Sequence, residues 1–302
     1  MKAHHLFVSL FLVLLPLPLC SSQENTRSLV IDVNSPLDTS PISQKCSWGK
    51  MLRYIITWSI EDESEFSYER NQENGPEKWG KLKPEWKMCG KGEMQSPIDL
   101  MHKRVRIVSH LGRLNRDYKP ANATLRNRGH DMMVRFEEGP GSIKINNIEY
   151  QLHQLHWHSP SEHTINGRRF ALELHMVHES KNGSMAVVTV LYRIGRPDSF
   201  LSLLENKLCA ITDHNKAEVN IGMIDPKDIE FGSRKYYRYI GSLTIPPCTQ
   251  NVIWTVIKKV RTVARHQVKL LRVAVHDYSN TNARPVQPTN MRPVKLYRPK
   301  SS

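Results

Sequence analysis

The chain has 302 residues, of which 39% are apolar and 24% are charged, a composition that supports a sizeable core and excludes wholesale disorder. Its formal net charge is +14, yet lysine and arginine are spread along the chain and no nucleic-acid-binding motif occurs. We therefore interpret the charge as a solvated basic surface that favours an anionic matrix, and we expect no nucleic-acid partner.

Residues 1–22 have the pattern of a cleaved secretory signal peptide. A basic start precedes an apolar run from Leu6 to Leu15, and small residues follow Pro18. The run is too short to span a bilayer and no later stretch is apolar enough, so we expect no transmembrane anchor. The Leu-Pro-Leu-Cys20 segment also fits a bacterial lipoprotein cleavage box, an alternative that the signal-peptide interpretation outweighs.

Residues 23–60 form an N-terminal extension of uncertain order. The segment opens polar and then carries the apolar, aromatic run CSWGKMLRYIITWSI. An extra strand or helix, a pro-segment and an unspliced intron would each produce such a run. We favour a poorly ordered or mispredicted insert, and we expect residues 61–302 to form a single domain.

The residues after Glu61 predict a mainly β domain with few short helices. A turn-rich arm comes first and is followed by short runs of strand character, with a hairpin turn at Asn146-Asn147. The best helix is FLSLLENKLCAI, whose apolar residues recur at helical spacing. The predicted strands are ATLRN, DMMVRF, SIKINNIEY, QLHQLHWH, FALELHMVH, MAVVTVLYRIG and VIWTVIKKV.

The stretch QLHQLHWH places two histidines side by side. Strand alternation puts Gln154, His156 and His158 on one face, while Leu155 and Trp157 take the other. A hydrogen-bonding side chain two residues before a ligand can orient the imidazole ring. The first half of a metal site is therefore predicted on this strand.

A second strand supplies a third histidine. After a turn at Asn166-Gly167, alternation puts Glu173, His175 and Val177 on one face, so pairing of the two strands brings His175 to the first two histidines. Three imidazoles with no fourth protein ligand are typical of a catalytic zinc, because the open position admits water or substrate. The sequence therefore predicts a catalytic zinc (Zn²⁺) site.

The motifs around these histidines resemble the alpha-class carbonic anhydrases, the plant-like branch in particular. HWHSPSEHTINGRRF and ELHMVH carry the resemblance, with GPEKWG, QSPIDL, NRGH, GSLTIPPC and NARPVQP in family order between about Glu65 and Pro299. The resemblance implies a large central, mixed and mostly antiparallel twisted sheet, with zinc at the base of a conical cleft. It implies reversible hydration of carbon dioxide to bicarbonate and a proton through zinc-bound hydroxide.

The resemblance also implies roles for residues outside the zinc ligands. Thr244 and Glu162 would orient the hydroxide, and His130 would relay the proton to solvent. Family members commonly have threonine after the residue matching Thr244, whereas this chain has Ile245, so we expect weaker binding of bicarbonate and inhibitors. The carbon dioxide pocket would be walled by Val177, Val187, Leu243 and Trp254.

Secreted family members pair the cysteines that match Cys89 and Cys248, and the secretory route permits that bridge. Closing this long loop would stabilise the domain by roughly 4–5 kcal/mol, with Cys46 and Cys209 left over. The resemblance and the signal peptide imply an extracellular protein, or one that reaches the plastid stroma through the secretory route. Two sequons provide glycosylation sites, Asn122 and Asn182.

Two alternatives compete with this enzyme. His156-Trp-His158 followed by Glu162 also resembles the first motif of manganese-binding cupins, but Tyr150 stands where that motif has glycine and the second cupin motif is missing. The stronger alternative is a catalytically weak or inactive family member that serves as a storage, carbohydrate-binding or interaction protein. Retention of all three histidines favours the enzyme.

Overall fold

The computed structural model describes residues 65–212, 217–273 and 281–299. Within these ranges, thirteen strands and four α-helices account for most of the regular structure. The strands are β1 Val105–Val108, β2 Asn115–Tyr118, β3 Ala121–Asn127, β4 Met132–Phe136, β5 Gly141–Ile145, β6 Ile148–His158, β7 Leu172–Ser180, β8 Met185–Ile194, β9 Glu218–Ile224, β10 Tyr236–Ser242, β11 Gln250–Ile257, β12 Arg261–Val263 and β13 Val294–Tyr297. The helices are α1 Trp79–Leu82, α2 Met88–Lys91, α3 Ser199–Ile211 and α4 Arg265–Val273.

One large mixed sheet contains all of these strands. Its main path runs β1-β13-β10-β11-β8-β7-β6-β4-β3-β9, with β12 beside β8 and the β2-β5 pair attached to β6. The pairings of β1 with β13, β8 with β11 and β8 with β12 are parallel, and the other pairings are antiparallel. The predicted mainly β fold with a mixed, mostly antiparallel sheet is confirmed.

Alternating side chains divide the central strands between two cores. On one face, Leu155 and Trp157 of β6 and Leu174 of β7 belong to the large core that also receives α3. On the other face, Val177 and Trp254 belong to a second apolar cluster beside the histidines. Burial of both faces explains why β7 is almost wholly inaccessible to solvent, and it makes the register of the histidine strands difficult to change.

Local sequence signals account for the turn and for the longest helix. Asn146 and Asn147 adopt φ values of 51° and 63°, as the predicted β5–β6 hairpin turn requires. The side chain of Asp198 accepts a hydrogen bond from the Leu201 amide and so caps α3, the helix predicted from apolar spacing. The remaining elements were not predicted, because they are short or carry charges that obscure their periodicity; they are helices α1, α2 and α4 and strands β1, β2, β9, β10, β12 and β13.

The turn-rich arm packs through a cluster of aromatic rings. Phe66 lies edge-on to Trp79 and Trp86, with ring centroids 5.2 and 6.2 Å apart, and this cluster also contains the bridged pair Cys89 and Cys248. None of the described helices is long and apolar enough to cross a membrane. The predicted signal peptide, the extension at 23–60 and Cys46 lie outside the described residues.

Candidate metal centre

The three predicted histidines meet at one point on the sheet. His156 of β6 lies directly opposite His175 of β7, and His158 follows two residues later on the same face. One nitrogen from each ring lies within 4.8 Å of the corresponding nitrogens of the other two. The cluster is buried and contains no carboxylate, so the donor set matches the three-nitrogen arrangement of a catalytic zinc site.

The outer nitrogen of each ring donates a hydrogen bond to an oxygen, so its tautomer is fixed. The inner nitrogens, Nε2 of His156 and His158 and Nδ1 of His175, therefore carry lone pairs that point into the cluster. The three acceptors are Gln154 Oε1 at 2.8 Å, the Asn282 carbonyl oxygen at 2.6 Å and Glu173 Oε1 at 2.7 Å, in that order.

The protonation state of the centre also fits a metal. Burial lowers the pKa of His156, His158 and His175, which keeps the rings neutral as metal ligands must be. His158 Nε2 is buried and has no hydrogen-bond partner within the described part of the chain. Because an unsatisfied buried nitrogen is costly, a cation at this point would satisfy it. The residues fit zinc.

Glu173 connects the metal centre to a buried polar network. Its carboxylate accepts from His175 Nε2, from His163 Nδ1 at 2.6 Å and from the His163 backbone amide at 2.8 Å. His163 Nε2 in turn accepts from the Tyr239 hydroxyl at 2.7 Å. Burial alone would raise the pKa of Glu173, but His163 and His175 outweigh it and hold the pKa well below its usual range. The ring of His175 is thus supported by a fixed anion.

A second buried carboxylate, Glu162, lies beside the open side of the cluster. Its Oε2 is 3.6 Å from His158 Nε2, and its Oε1 accepts from the Arg284 backbone amide at 2.9 Å. Glu162 Oε2 is buried and has no hydrogen-bond partner among the described residues. Burial raises the pKa of Glu162 to about 7, against the opposing effects of His175, Thr244 and Arg284.

The loop between β10 and β11 positions Thr244. The Leu243 amide donates to the Thr249 carbonyl at 2.9 Å, and the Cys248 amide donates to the Ile245 carbonyl at 2.8 Å, which closes the loop tightly. Thr244 is buried, whereas Ile245 is half-buried and packs against the aromatic cluster of the arm. The apolar side chain of Ile245 therefore has apolar neighbours in this structure.

An apolar wall adjoins the histidines. Val177 and Val187 face each other on β7 and β8, and Leu243 packs against the same cluster. The Trp254 ring lies 4.9 Å from that of His175, and its Nε1 donates to the Ser242 carbonyl at 2.9 Å. All four predicted wall residues thus share the cluster on the face of the histidines.

His130 is buried beneath the arm. Only 3% of the residue is exposed, and its ring centroid lies 5.3 Å from that of Phe66 and 6.1 Å from that of Tyr68. His130 Nε2 is 3.6 Å from Oδ2 of Asp131, a buried carboxylate that Arg128 also contacts through its Nε at 2.7 Å. The predicted relay histidine is thus covered by aromatic rings and lies next to an anion.

Four functional neighbours were not assigned from sequence: Asn282, Arg284, His163 and Asp131. Asn282 and Arg284 belong to the NARPVQP motif, whose sequence alone indicates no role for either residue. His163 and Asp131 directly follow Glu162 and His130, so the only signal for them was adjacency to predicted site residues. Their contacts depend on tertiary packing rather than on local spacing.

The predicted disulfide between Cys89 and Cys248 is confirmed, with a Cα–Cα distance of 5.0 Å and a sequence separation of 159. It joins the arm to the loop that carries Thr244. Cys209 is half-buried on α3. Both sequon asparagines, Asn122 and Asn182, are exposed.

Fold and site together define a class of protein: a mainly β metalloenzyme with a catalytic three-histidine zinc centre. A family model described as eukaryotic-type carbonic anhydrase matches residues 74–298. The chain therefore belongs to the alpha (eukaryotic-type) carbonic anhydrase family, and it is an enzyme that interconverts carbon dioxide and bicarbonate.

Individual relatives agree with this assignment. The chain is 73% identical to Alpha carbonic anhydrase 7 of Arabidopsis thaliana over 240 aligned residues. The aligned region covers 80% of this chain and 87% of that protein. A solved alpha-carbonic anhydrase from Thermovibrio ammonificans, in complex with the inhibitor sulfanilamide, matches with a TM-score of 0.70 and 34% identity over 76% of this chain and 98% of its own. A solved dioscorin complexed with ascorbate matches with a TM-score of 0.77 and 50% identity over 79% of this chain and 100% of its own.

Proposed function

We propose that His156, His158 and His175 hold the zinc of this carbonic anhydrase. Neighbouring residues orient the nucleophile, receive carbon dioxide and relay the proton. The observation that carries the proposal is the convergence of three neutral imidazole nitrogens whose outer partners fix each ring. When bound, zinc lowers the pKa of a water molecule to about 7, as is established for carbonic anhydrase, so that hydroxide is available near neutral pH.

Thr244 and Glu162 orient this nucleophile in our proposal. In this arrangement the Thr244 hydroxyl would donate to Glu162 Oε2, a buried oxygen with no hydrogen-bond partner among the described residues. The lone pairs of the Thr244 oxygen would then accept a hydrogen bond from the nucleophile. The Arg284 amide holds the other side of the carboxylate and so limits its rotation. Orientation of this kind selects the lone pair that attacks carbon.

Thr244→Ala tests this role. We expect hydration to fall by about a hundredfold, the usual scale for loss of one preorganised hydrogen-bonding group, with zinc content unchanged. Thr249→Ala is the matched control, because Thr249 is exposed in the same loop. Equal activity of Thr244→Ala and the control would contradict the role.

The apolar wall receives carbon dioxide in our proposal. Val177, Val187, Leu243 and Trp254 offer no hydrogen-bonding group to a small apolar substrate except the Trp254 Nε1, which is already engaged by the Ser242 carbonyl. Ile245 places a branched apolar side chain next to Thr244, where the family resemblance implies a hydroxyl. We therefore expect bicarbonate and inhibitory anions to bind weakly beside it.

His130 relays the proton to solvent in our proposal, because an imidazole ring can both accept and donate a proton. His130→Ala should lower kcat in dilute buffer, leave kcat/KM nearly unchanged, and recover in part when imidazole is added. His110→Ala is the control, since His110 is exposed. An unaltered kcat of His130→Ala in dilute buffer would rule out the relay.

A second candidate keeps the fold but catalyses weakly and acts by binding. Ile245 favours it, because its side chain packs against the aromatic cluster beside Thr244. Dioscorin, a relative at 50% identity, has been solved with ascorbate. Zinc-loaded protein that hydrates carbon dioxide no faster than buffer would select this candidate.

We also propose that residues 1–22 are removed as a signal peptide and that residues 61–302 form the catalytic domain in an oxidising compartment. The Cys89–Cys248 bridge and the exposed sequons at Asn122 and Asn182 are consistent with the secretory route. Mass measurement of the protein from its native source, before and after glycosidase treatment, tests the cleavage and the glycans together. A native protein that retains residues 1–22 and has reduced cysteines would contradict this proposal.

A further inference from the structure

A groove lies on the face of the sheet opposite the metal centre. Tyr239 and Trp254 point toward the histidines, where the Tyr239 hydroxyl and the Trp254 ring contact the metal-centre network. Because strand side chains alternate, Arg238, Ile240 and Ile253 point to the other face. There they help line a cavity of about 380 Å³. The groove therefore opens away from the histidines, and Tyr239 borders both the groove and the metal-centre network.

The floor of the groove is apolar. Ile240 of β10 lies directly opposite Ile253 of β11, and Leu111, Ile145 and Pro293 extend the same surface. Ile240 is 41% exposed, an unusual state for a large aliphatic side chain in the middle of a strand. A mostly apolar cleft with a few polar groups is the usual form of a small-molecule site.

The rim of the groove is positive. Arg238 of β10 is the register partner of Lys295 on β13, and Lys295 is the partner of Arg106 on β1, so three cations stand in a row across neighbouring strands. Arg292 also lines the cavity, and none of the described lining residues is Asp or Glu. Like charges directly opposite each other on paired strands are destabilising. A bound anion would offset this repulsion.

Among the residues that the structure describes, no carboxylate neutralises these cations. Within the described part of the chain, Arg106, Arg238, Arg292 and Lys295 form no ion pair. The Arg292 guanidinium donates its hydrogen bonds to backbone carbonyls, including that of Ile240 at 3.1 Å. Arg238 and Arg292 are both half-buried, so their charges are partly removed from water, and this burial lowers the pKa of each side chain. Desolvated cations interact more strongly with an anion.

Donors remain for a ligand at one end of the groove. Arg238 uses its Nε to donate to Thr255 Oγ1 at 3.0 Å, and its terminal nitrogens make no hydrogen bond to any described residue. Lys295 likewise has no hydrogen bond from its side chain within these residues. The planar guanidinium suits a carboxylate, which it can bind through two parallel hydrogen bonds.

We propose that this groove binds a small amphiphilic carboxylate. The carboxylate would lie between Arg238 and Lys295, and the apolar body would lie on Ile240 and Ile253. Neither carbon dioxide nor bicarbonate has an apolar body of this kind, so the ligand is distinct from the substrates of the enzyme. The groove is thus a second binding site on the far face of the catalytic sheet.

Calorimetric titration of the zinc-loaded protein with decanoate tests the proposal, with decanol as the uncharged matched ligand. We expect saturable binding of decanoate and at least about tenfold weaker binding of decanol, because a charge-assisted hydrogen bond is lost. Arg238→Gln and Lys295→Gln should each weaken decanoate binding by about tenfold or more. Lys181→Gln is the control, since Lys181 is exposed in the β7–β8 turn.

Ile240→Asp provides an independent test, because it places a carboxylate on the floor and should abolish decanoate binding. Hydration activity and thermal unfolding of each variant show whether the fold is intact, and we expect activity to remain at the level of the unaltered chain. Equal affinity for decanoate and decanol, or affinity unchanged in both Arg238→Gln and Lys295→Gln, would overturn the proposal. Absence of any decanoate binding would overturn it as well, and would leave the hydration chemistry untouched.

Discussion

Replacement of Glu173 by glutamine probes the support of the metal centre. The Glu173 carboxylate accepts hydrogen bonds from the His175 ring, the His163 ring and the His163 amide. An amide of the same shape offers one oxygen and one NH₂ group. Whichever way the glutamine is turned, its NH₂ group faces an N–H donor, so at least one buried hydrogen bond is lost.

The expected magnitude follows from that loss. An unsatisfied buried polar group costs about 1–3 kcal/mol, and we expect the free energy of unfolding of the metal-free protein to fall by this amount. The His175 ring also loses the anion that fixes its tautomer, and changes of this kind lower metal affinity by roughly 10–100-fold. Glu173→Gln should therefore bind zinc about 10–100-fold more weakly than the unaltered chain.

Competition with a chelator of known zinc affinity measures this change, and urea unfolding measures the stability. Glu149→Gln is the matched control, because Glu149 is an exposed glutamate on β6 whose carboxylate accepts from Ser142 Oγ at 2.7 Å. Zinc affinity of Glu173→Gln equal to that of Glu149→Gln would refute the argument that this carboxylate supports the ligand.

Three further predictions concern the pocket, the pH dependence of stability and the disulfide. Ile245→Thr should tighten binding of inhibitory anions, measured by inhibition of hydration; unchanged inhibition constants would show that Ile245 does not limit the anion site. His178 is buried and its pKa is lowered from 6.5 to about 3, so the unfolded chain takes up a proton first and stability falls as pH drops below 6.5. Between pH 6.5 and pH 4, the free energy of unfolding measured in urea should fall by roughly 3 kcal/mol less for His178→Phe than for the unaltered chain. Parallel plots of this free energy against pH for the two proteins would contradict the prediction. Reduction of the Cys89–Cys248 bridge, which closes a loop of 159 residues, should lower the free energy of unfolding by about 5 kcal/mol. A decrease under about 1 kcal/mol would show that the bridge does not stabilise the fold by constraining the unfolded chain.

Alternation along two strands was enough to predict the metal ligands. His156 and His158 share a face in any strand. Trp157 lies between them and is buried in the large core, so the two histidines must lie on the opposite face. His175 could be placed opposite them only by assuming that its strand pairs with theirs, and the structure shows that pairing residue by residue. The zinc site was therefore predictable because all of its ligands lie on adjacent strands.

Residues from distant parts of the chain could not be placed in the same way. The Asn282 carbonyl that fixes His158 is separated from it by 124 residues, and the Arg284 amide that binds Glu162 is separated from it by 122. Both groups belong to the backbone, so side-chain identity carries little information about their role. Only the packing of a loop without strand or helix character brings them to the centre.

Burial of His130 is a second feature that local pattern did not provide. Its motif predicted a relay histidine, but the coverage by Phe66 depends on how the turn-rich arm folds over the sheet. Similarly, the row of cations formed by Arg238 and Lys295 becomes visible only when β10 and β13 are paired. In both cases the missing information was the contact between segments that are far apart in sequence.

The most direct test of the account is stopped-flow carbon dioxide hydration on the purified chain, with zinc content determined on the same sample and with His156→Ala prepared in parallel. The three converging imidazoles predict about one zinc per chain in the unaltered protein, and loss of both zinc and hydration in His156→Ala. Zinc retained by His156→Ala at full occupancy, or hydration by the unaltered chain that persists after zinc is removed, would contradict the assignment of the metal centre.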